Sequence, residues 1–210
     1  MAILAAISYL LKSQIEATQL KRIIERLTAD SRVAEVIVTD VKCNPRTKQT
    51  STTIKFLEYD TKLRPLEPKY FTFSGNIIQF QSMVIRFDDF YVKKGHPLKG
   101  KSAYLFMKAF RLTDNGAETF EITKINEIPF GYEAAEVKNN FERKLWKKFW
   151  EYALNPEKAS KAGIKNVQLE APGTKFVPGM IYTIKIEHDG GLRIDAKPVT
   201  PILKNEKIKF

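Results

Sequence analysis

Val33-Ala-Glu-Val-Ile-Val-Thr-Asp-Val41, Cys43-Asn-Pro-Arg-Thr-Lys-Gln49 and Thr52-Thr-Ile-Lys-Phe-Leu-Glu-Tyr59 follow one another and decide the fold. The first run is rich in β-branched side chains, which suit a pleated, half-buried surface. The second is turn chemistry, and Pro45 bars a central strand there because it has no amide hydrogen for a ladder. The third reads as the return strand. Together they predict a β-hairpin.

The same grammar recurs downstream. Tyr70-Phe-Thr-Phe73 is a short strand ended by Ser74-Gly75-Asn76, and Ile77 to Phe90 is a longer one. Ser102 to Leu112 is apolar on both faces, with Tyr104, Phe106, Phe110 and Leu112 on one and Leu105, Met107 and Ala109 on the other. That pattern predicts a central strand covered on both sides. Asp114-Asn115-Gly116 is a strong hairpin signal, and Thr119 to Ile125 completes the pair. Met180 to Glu187 alternates, Asp189-Gly-Gly191 turns, and Leu192, Ile194 and Ala196 return. The expected body is eight or nine antiparallel strands, without residue-level repeats.

Residues 1–30 have a different character. Met1 to Leu11 is uncharged and mostly apolar, and neither Pro nor Gly occurs in the first thirty residues. One helix to about Thr28 is the simplest expectation. At 100° per residue, Ile3, Leu4, Ile7, Leu10, Leu11 and Ile15 cluster on one side, whereas Leu20, Ile23, Ile24 and Leu27 cluster nearly opposite. A helix lying along one core keeps a single stripe. The first six are therefore expected to face a membrane or sister subunits, making a homo-oligomer one outcome; the plainer alternative is a helix whose start tucks under its own domain. Eleven residues are too few to span a bilayer, which needs about 20. An apolar N-terminal helix ahead of a β-rich head resembles the type IV pilin family in outline. The chain departs from that pattern at Ala5 and Ala6, where pilins typically place a glutamate nearby; the first acid here is Glu16.

A second helix is expected over Glu136 to Leu154 and is stopped by Asn155-Pro156. Its apolar side carries Val137, Phe141, Leu145, Trp146, Phe149, Trp150, Tyr152 and Ala153; Arg143, Lys144, Lys147, Lys148 and Glu151 form the other side. The first expectation is that the aromatics are core. If Trp146 or Trp150 were exposed, they could join Lys144, Lys147 and Lys148 as a surface or ligand contact, either at lipid headgroups or on nucleic acid.

The fold class is therefore α+β and mostly β. A long N-terminal helix precedes an antiparallel β sandwich or partly open barrel, with a second amphipathic helix packed on it. The expected organisation is helix 1–30, a β-rich domain 31–200 that includes helix 136–154, and a basic tail 201–210.

Composition narrows the function classes. Hydrophobic residues at 43% and charged residues at 28% exclude wholesale disorder. Thirty-five basic against 24 acidic residues give +11, but the excess is spread out, without a run of five or six like charges. Cys43 is the only cysteine, which excludes an internal disulfide and any multi-cysteine zinc site. Asp88 and Asp89 are adjacent on a strand end and point to opposite faces. His188, Asp189 and Asp195 surround one turn, which is weak ground for a metal, and His96 stands alone in a Lys/Gly loop. Lys93-Lys-Gly95 and Lys99-Gly-Lys101 lack phosphate-loop spacing. No catalytic residue, metal or cofactor is expected.

The leading expectation is a non-enzymatic protein of the cell envelope. It would be membrane-tethered or self-assembled through its N-terminal helix and would present a β-rich head to a protein or anionic surface. The alternative is a cytoplasmic, basic nucleic-acid-binding protein using the sheet and the Trp/Lys helix. An enzyme is the third reading, with a sugar or lipid pocket inside a barrel left open by the sequence.

Overall fold

The computed structural model describes residues 34–60, 64–87, 102–129, 140–161, 164–187 and 191–200. The N-terminal helix and the basic tail expected from sequence lie outside them. The described chain is mostly β, with two antiparallel sheets and few helices. Its strands are β1 (Ala34–Cys43), β2 (Thr50–Glu58), β3 (Lys69–Ser74), β4 (Ile77–Phe87), β5 (Ser102–Thr113), β6 (Gly116–Glu121), β7 (Ile164–Glu170), β8 (Gly173–Lys175), β9 (Met180–Ile186) and β10 (Leu192–Pro198). The helices are α1 (Asn140–Leu154) and α2 (Pro156–Lys161).

One sheet runs β10-β9-β1-β2-β3; the other runs β6-β5-β4-β7, with β8 also on β4. The predicted first hairpin is β1 and β2, paired from Ala34↔Glu58 to Cys43↔Thr50. Its tip is set by Asn44, whose Oδ1 accepts the amides of Arg46 (2.9 Å) and Thr47 (3.3 Å). Asn44 N–H then donates to the Gln49 carbonyl, and Lys48 closes the turn at a φ of 55°.

A bulge decides which way β1's later side chains point. Val38 pairs with Ile54 but Asp40 pairs with Thr53, so Thr39 is the extra residue, and its Oγ1 donates to the Thr53 carbonyl at 3.2 Å. Before the bulge the even positions Ala34 and Val36 are buried. After it the parity reverses. Lys42 falls opposite Ser51, and Ser51 opposite Ser74, on the face away from buried Thr52 and Phe73.

The chain's contacts cluster into two units. Among described residues, one holds 34–60, 64–83, 105–123, 169–187 and 191–200; the other holds 84–87, 102–104, 124–129, 140–161 and 164–168. The first unit has an aromatic core. Phe56 of β2 stacks on Phe80 of β4 at 5.3 Å, meets Phe106 of β5 edge-on at 5.2 Å, and lies 6.2 Å from Phe71 of β3. Phe80 passes the contact to Phe176, which meets Tyr182 at 4.4 Å. The Tyr182 hydroxyl is satisfied inside this core, accepting Val177 N–H and donating to the Lys175 carbonyl. Glycine at 173 lets β8 pack closely on β4: a Cβ there would stand 2.5 Å from Gln79 Cγ and 3.3 Å from the Ile78 carbonyl, so Gln79 would have to shift.

In the second unit, Trp146, Phe149 and Trp150 are buried, with Phe149 set edge-on against both indoles at 5.2 and 5.5 Å. Trp150 Nε1 donates to the Glu127 carbonyl at 2.8 Å, tying α1 to the connector that follows β6. The expected stop at Asn155-Pro156 is also a restart. Asn155 Oδ1 accepts Lys158 N–H at 3.1 Å, and Pro156 opens α2 where no amide hydrogen is needed. Lys158 pairs with Glu151 across the junction.

Candidate functional site

A concavity lies at the tip of the first hairpin. It measures about 550 Å³ and is lined by Lys42, Cys43, Asn44, Pro45, Arg46, Gln49, Thr50, Ser51 and Ser74. Sheet register delivers the Lys42-Ser51-Ser74 row, and the Asn44 turn carries Arg46 to its rim. The far wall is fixed by Gly75, whose N–H donates to the Thr50 carbonyl while its own carbonyl accepts Thr52 Oγ1 at 2.5 Å. No lining residue is acidic. Lys42 Nζ lies 2.9 Å from the Asp40 carboxylate. Sequence reasoning treated this segment only as a turn. The signal available was three cations against one acid within residues 40–51.

Two other polar groupings are structural. Arg193 spans Asp195 through Nε (2.8 Å) and NH2 (3.1 Å) and also reaches Glu187, while Lys185 sits 3.4 Å from Asp195. The Arg193 hydrogen bonds hold the Asp195 carboxyl below its ordinary range. Asp195 is therefore held by cations; His188 and Asp189 lie outside the described residues. Asp60 accepts the Arg64 guanidinium (2.7 Å) and backbone amide (2.9 Å), clasping the connector between β2 and β3.

Tyr59 O–H donates to Glu35 Oε2 at 2.7 Å. Burial, then this carboxylate, push the phenol up to about 12. The folded value exceeds the ordinary one of 10.0, so the stability it contributes is complete below about pH 10 and is lost as pH rises towards about 12. Glu35→Gln is expected to lower the Tyr59 midpoint, read from phenolate absorbance against a Tyr59→Phe control. An unmoved midpoint would assign the whole shift to burial.

The sequence-predicted residues fare differently. Ile3, Leu4, Ile7, Leu10, Leu11 and Ile15 lie outside the described residues. Trp146 and Trp150 are 1% and 0% exposed, so the indole faces that a stacking or headgroup contact needs are already covered. Burial of these large apolar rings outweighs any surface role. Lys147 is exposed beside exposed Arg143, and the side chains of Lys144 and Lys148 lie outside the description. No group of three or more His, Cys, Asp or Glu suited to a metal occurs among the described residues. Nor is any described helix long and apolar enough to cross a membrane. Comparison with protein-family models, curated proteins and solved structures finds none similar to this chain.

Proposed function

We propose that this is a non-enzymatic, envelope-associated protein, tethered to a membrane or self-assembled through residues 1–15, whose β-rich head presents a surface to a protein or anionic partner. The observation that carries the reading is the phase reversal between the Ile3–Ile15 and Leu20–Leu27 stripes. A single helix with two opposed apolar sides serves two different neighbours. The head is read as an open sandwich, a reading supported by the Phe56 ring meeting Phe80 of β4 and Phe106 of β5. Such a scaffold is rigid and carries its variable chemistry at its hairpin tips.

Deleting residues 1–15 tests the proposal. The full chain is expected to sediment with membranes or to elute as an oligomer, and the shortened chain to be soluble and monomeric. A full chain that is itself soluble and monomeric would remove the reading. Salt-sensitive retention of that monomer on heparin would favour the nucleic-acid alternative, with Arg143 and Lys147 as phosphate contacts.

A further inference from the structure

We propose that the recess at the tip of the β1–β2 hairpin binds a phosphate-bearing anion, either free or as the headgroup of an anionic lipid. The inference does not depend on the N-terminal tether.

Its first support is the composition of the walls. Two cations, Lys42 and Arg46, line the recess with Ser51 and Ser74, which share a sheet face with Lys42, and with Gln49 and Thr50; no carboxylate lines it. Cations with neutral hydrogen-bond donors suit the several acceptor oxygens of a phosphate group, and a guanidinium can engage two of them at once.

Its second support is preorganisation. The Thr39 bulge turns Lys42 out to the Ser51-Ser74 row; without it, parity would aim Lys42 at the core face. The Asn44 side chain holds the amides of Arg46 and Thr47, so the arginine leaves the turn from a fixed backbone. Among the described residues, Lys42 is the lining cation with a shown ion-pair partner, Asp40, while Arg46 has none. At 44% side-chain exposure, Asp40 is screened by water and compensates only part of the positive charge. Arg46 is therefore the principal anchor and Lys42 the secondary one.

The test uses the full chain and two probes. Inorganic phosphate is titrated while backbone amides are followed by NMR, and vesicles of phosphatidylcholine with and without phosphatidylglycerol are tested by co-sedimentation. Saturable shifts confined to 42–51 and 74 are expected, with Arg46→Ala and Ser51→Ala each weakening phosphate binding about tenfold. Lys48→Gln removes one charge from the same hairpin but outside the recess, and should change affinity less than about twofold. Chemical-shift maps of the unliganded variants report whether each is folded. Weakened binding to phosphatidylglycerol vesicles in the Arg46→Ala variant identifies a lipid headgroup; phosphate binding without that difference identifies a free anion. Absence of binding in both arms overturns the site. An equal loss with Lys48→Gln also overturns it, by reducing the effect to general charge.

Discussion

Phe56→Ala is expected to unfold this protein or bring it close to unfolding. The ring meets Phe71, Phe80 and Phe106, so its removal opens a cavity where strands of both sheets converge. Large-to-small aromatic changes in cores cost about 3–5 kcal/mol, because the neighbours collapse only partly into the space. Domains are stable by only about 5–15 kcal/mol, so the change consumes much of the margin. Denaturant unfolding should show a midpoint lowered in that proportion with an unchanged slope. Phe56→Leu keeps most of the volume and should recover more than half of the loss. A midpoint unmoved by the alanine change would mean that the aromatic chain is not the element joining the sheets.

The second large effect is expected at Trp150. Trp150→Ala removes a buried indole and its hydrogen bond to the Glu127 carbonyl, at a cost of about 3–5 kcal/mol. Trp150→Phe keeps a ring against Phe149 but leaves that carbonyl without its donor, at a cost of about 1–3 kcal/mol. Because α1 belongs to its own contact unit, the damage should be regional. Amide exchange should accelerate in 140–154 and around Glu127 while β1 and β2 keep their protection. Uniform loss of protection across all strands would show instead that the two units unfold as one.

How much of this was legible depends on how local the signals are. The first hairpin was, because Pro45 and the β-branched runs on either side act within a few residues. So was the two-faced burial of β5, since Tyr104, Leu105 and Phe106 are all buried. Its end is not covered, and Leu112 is exposed. The bulge was hidden because Val36-Ile-Val38 is apolar at both parities, so a reversal of face leaves no trace in the pattern. β7 escaped notice because Leu169 is exposed, which breaks the link between hydrophobicity and burial. β8 is three residues long and packs closely on β4 at Gly173, which no periodicity encodes. Asn155-Pro156 was read as an ending alone, although the same two residues cap and open a new helix. The recess at the hairpin tip was missed because its serines come from strands that only the folded register brings beside Lys42.

The position of β9 in the first sheet sets a schedule for the nascent chain. β9 lies between β10 and β1, and its ladder joins Ile184 to Ala34. The ribosome must therefore deliver the chain as far as β9 (Met180–Ile186) before β1 gains its second neighbour. Until then the β1–β2–β3 meander is a partial sheet with an open inner edge, and closing so long a loop is slow. Translation leaves that edge unpaired longest in the very segment that ends as the sheet's centre, so this is where a growing chain most needs shielding from other nascent strands.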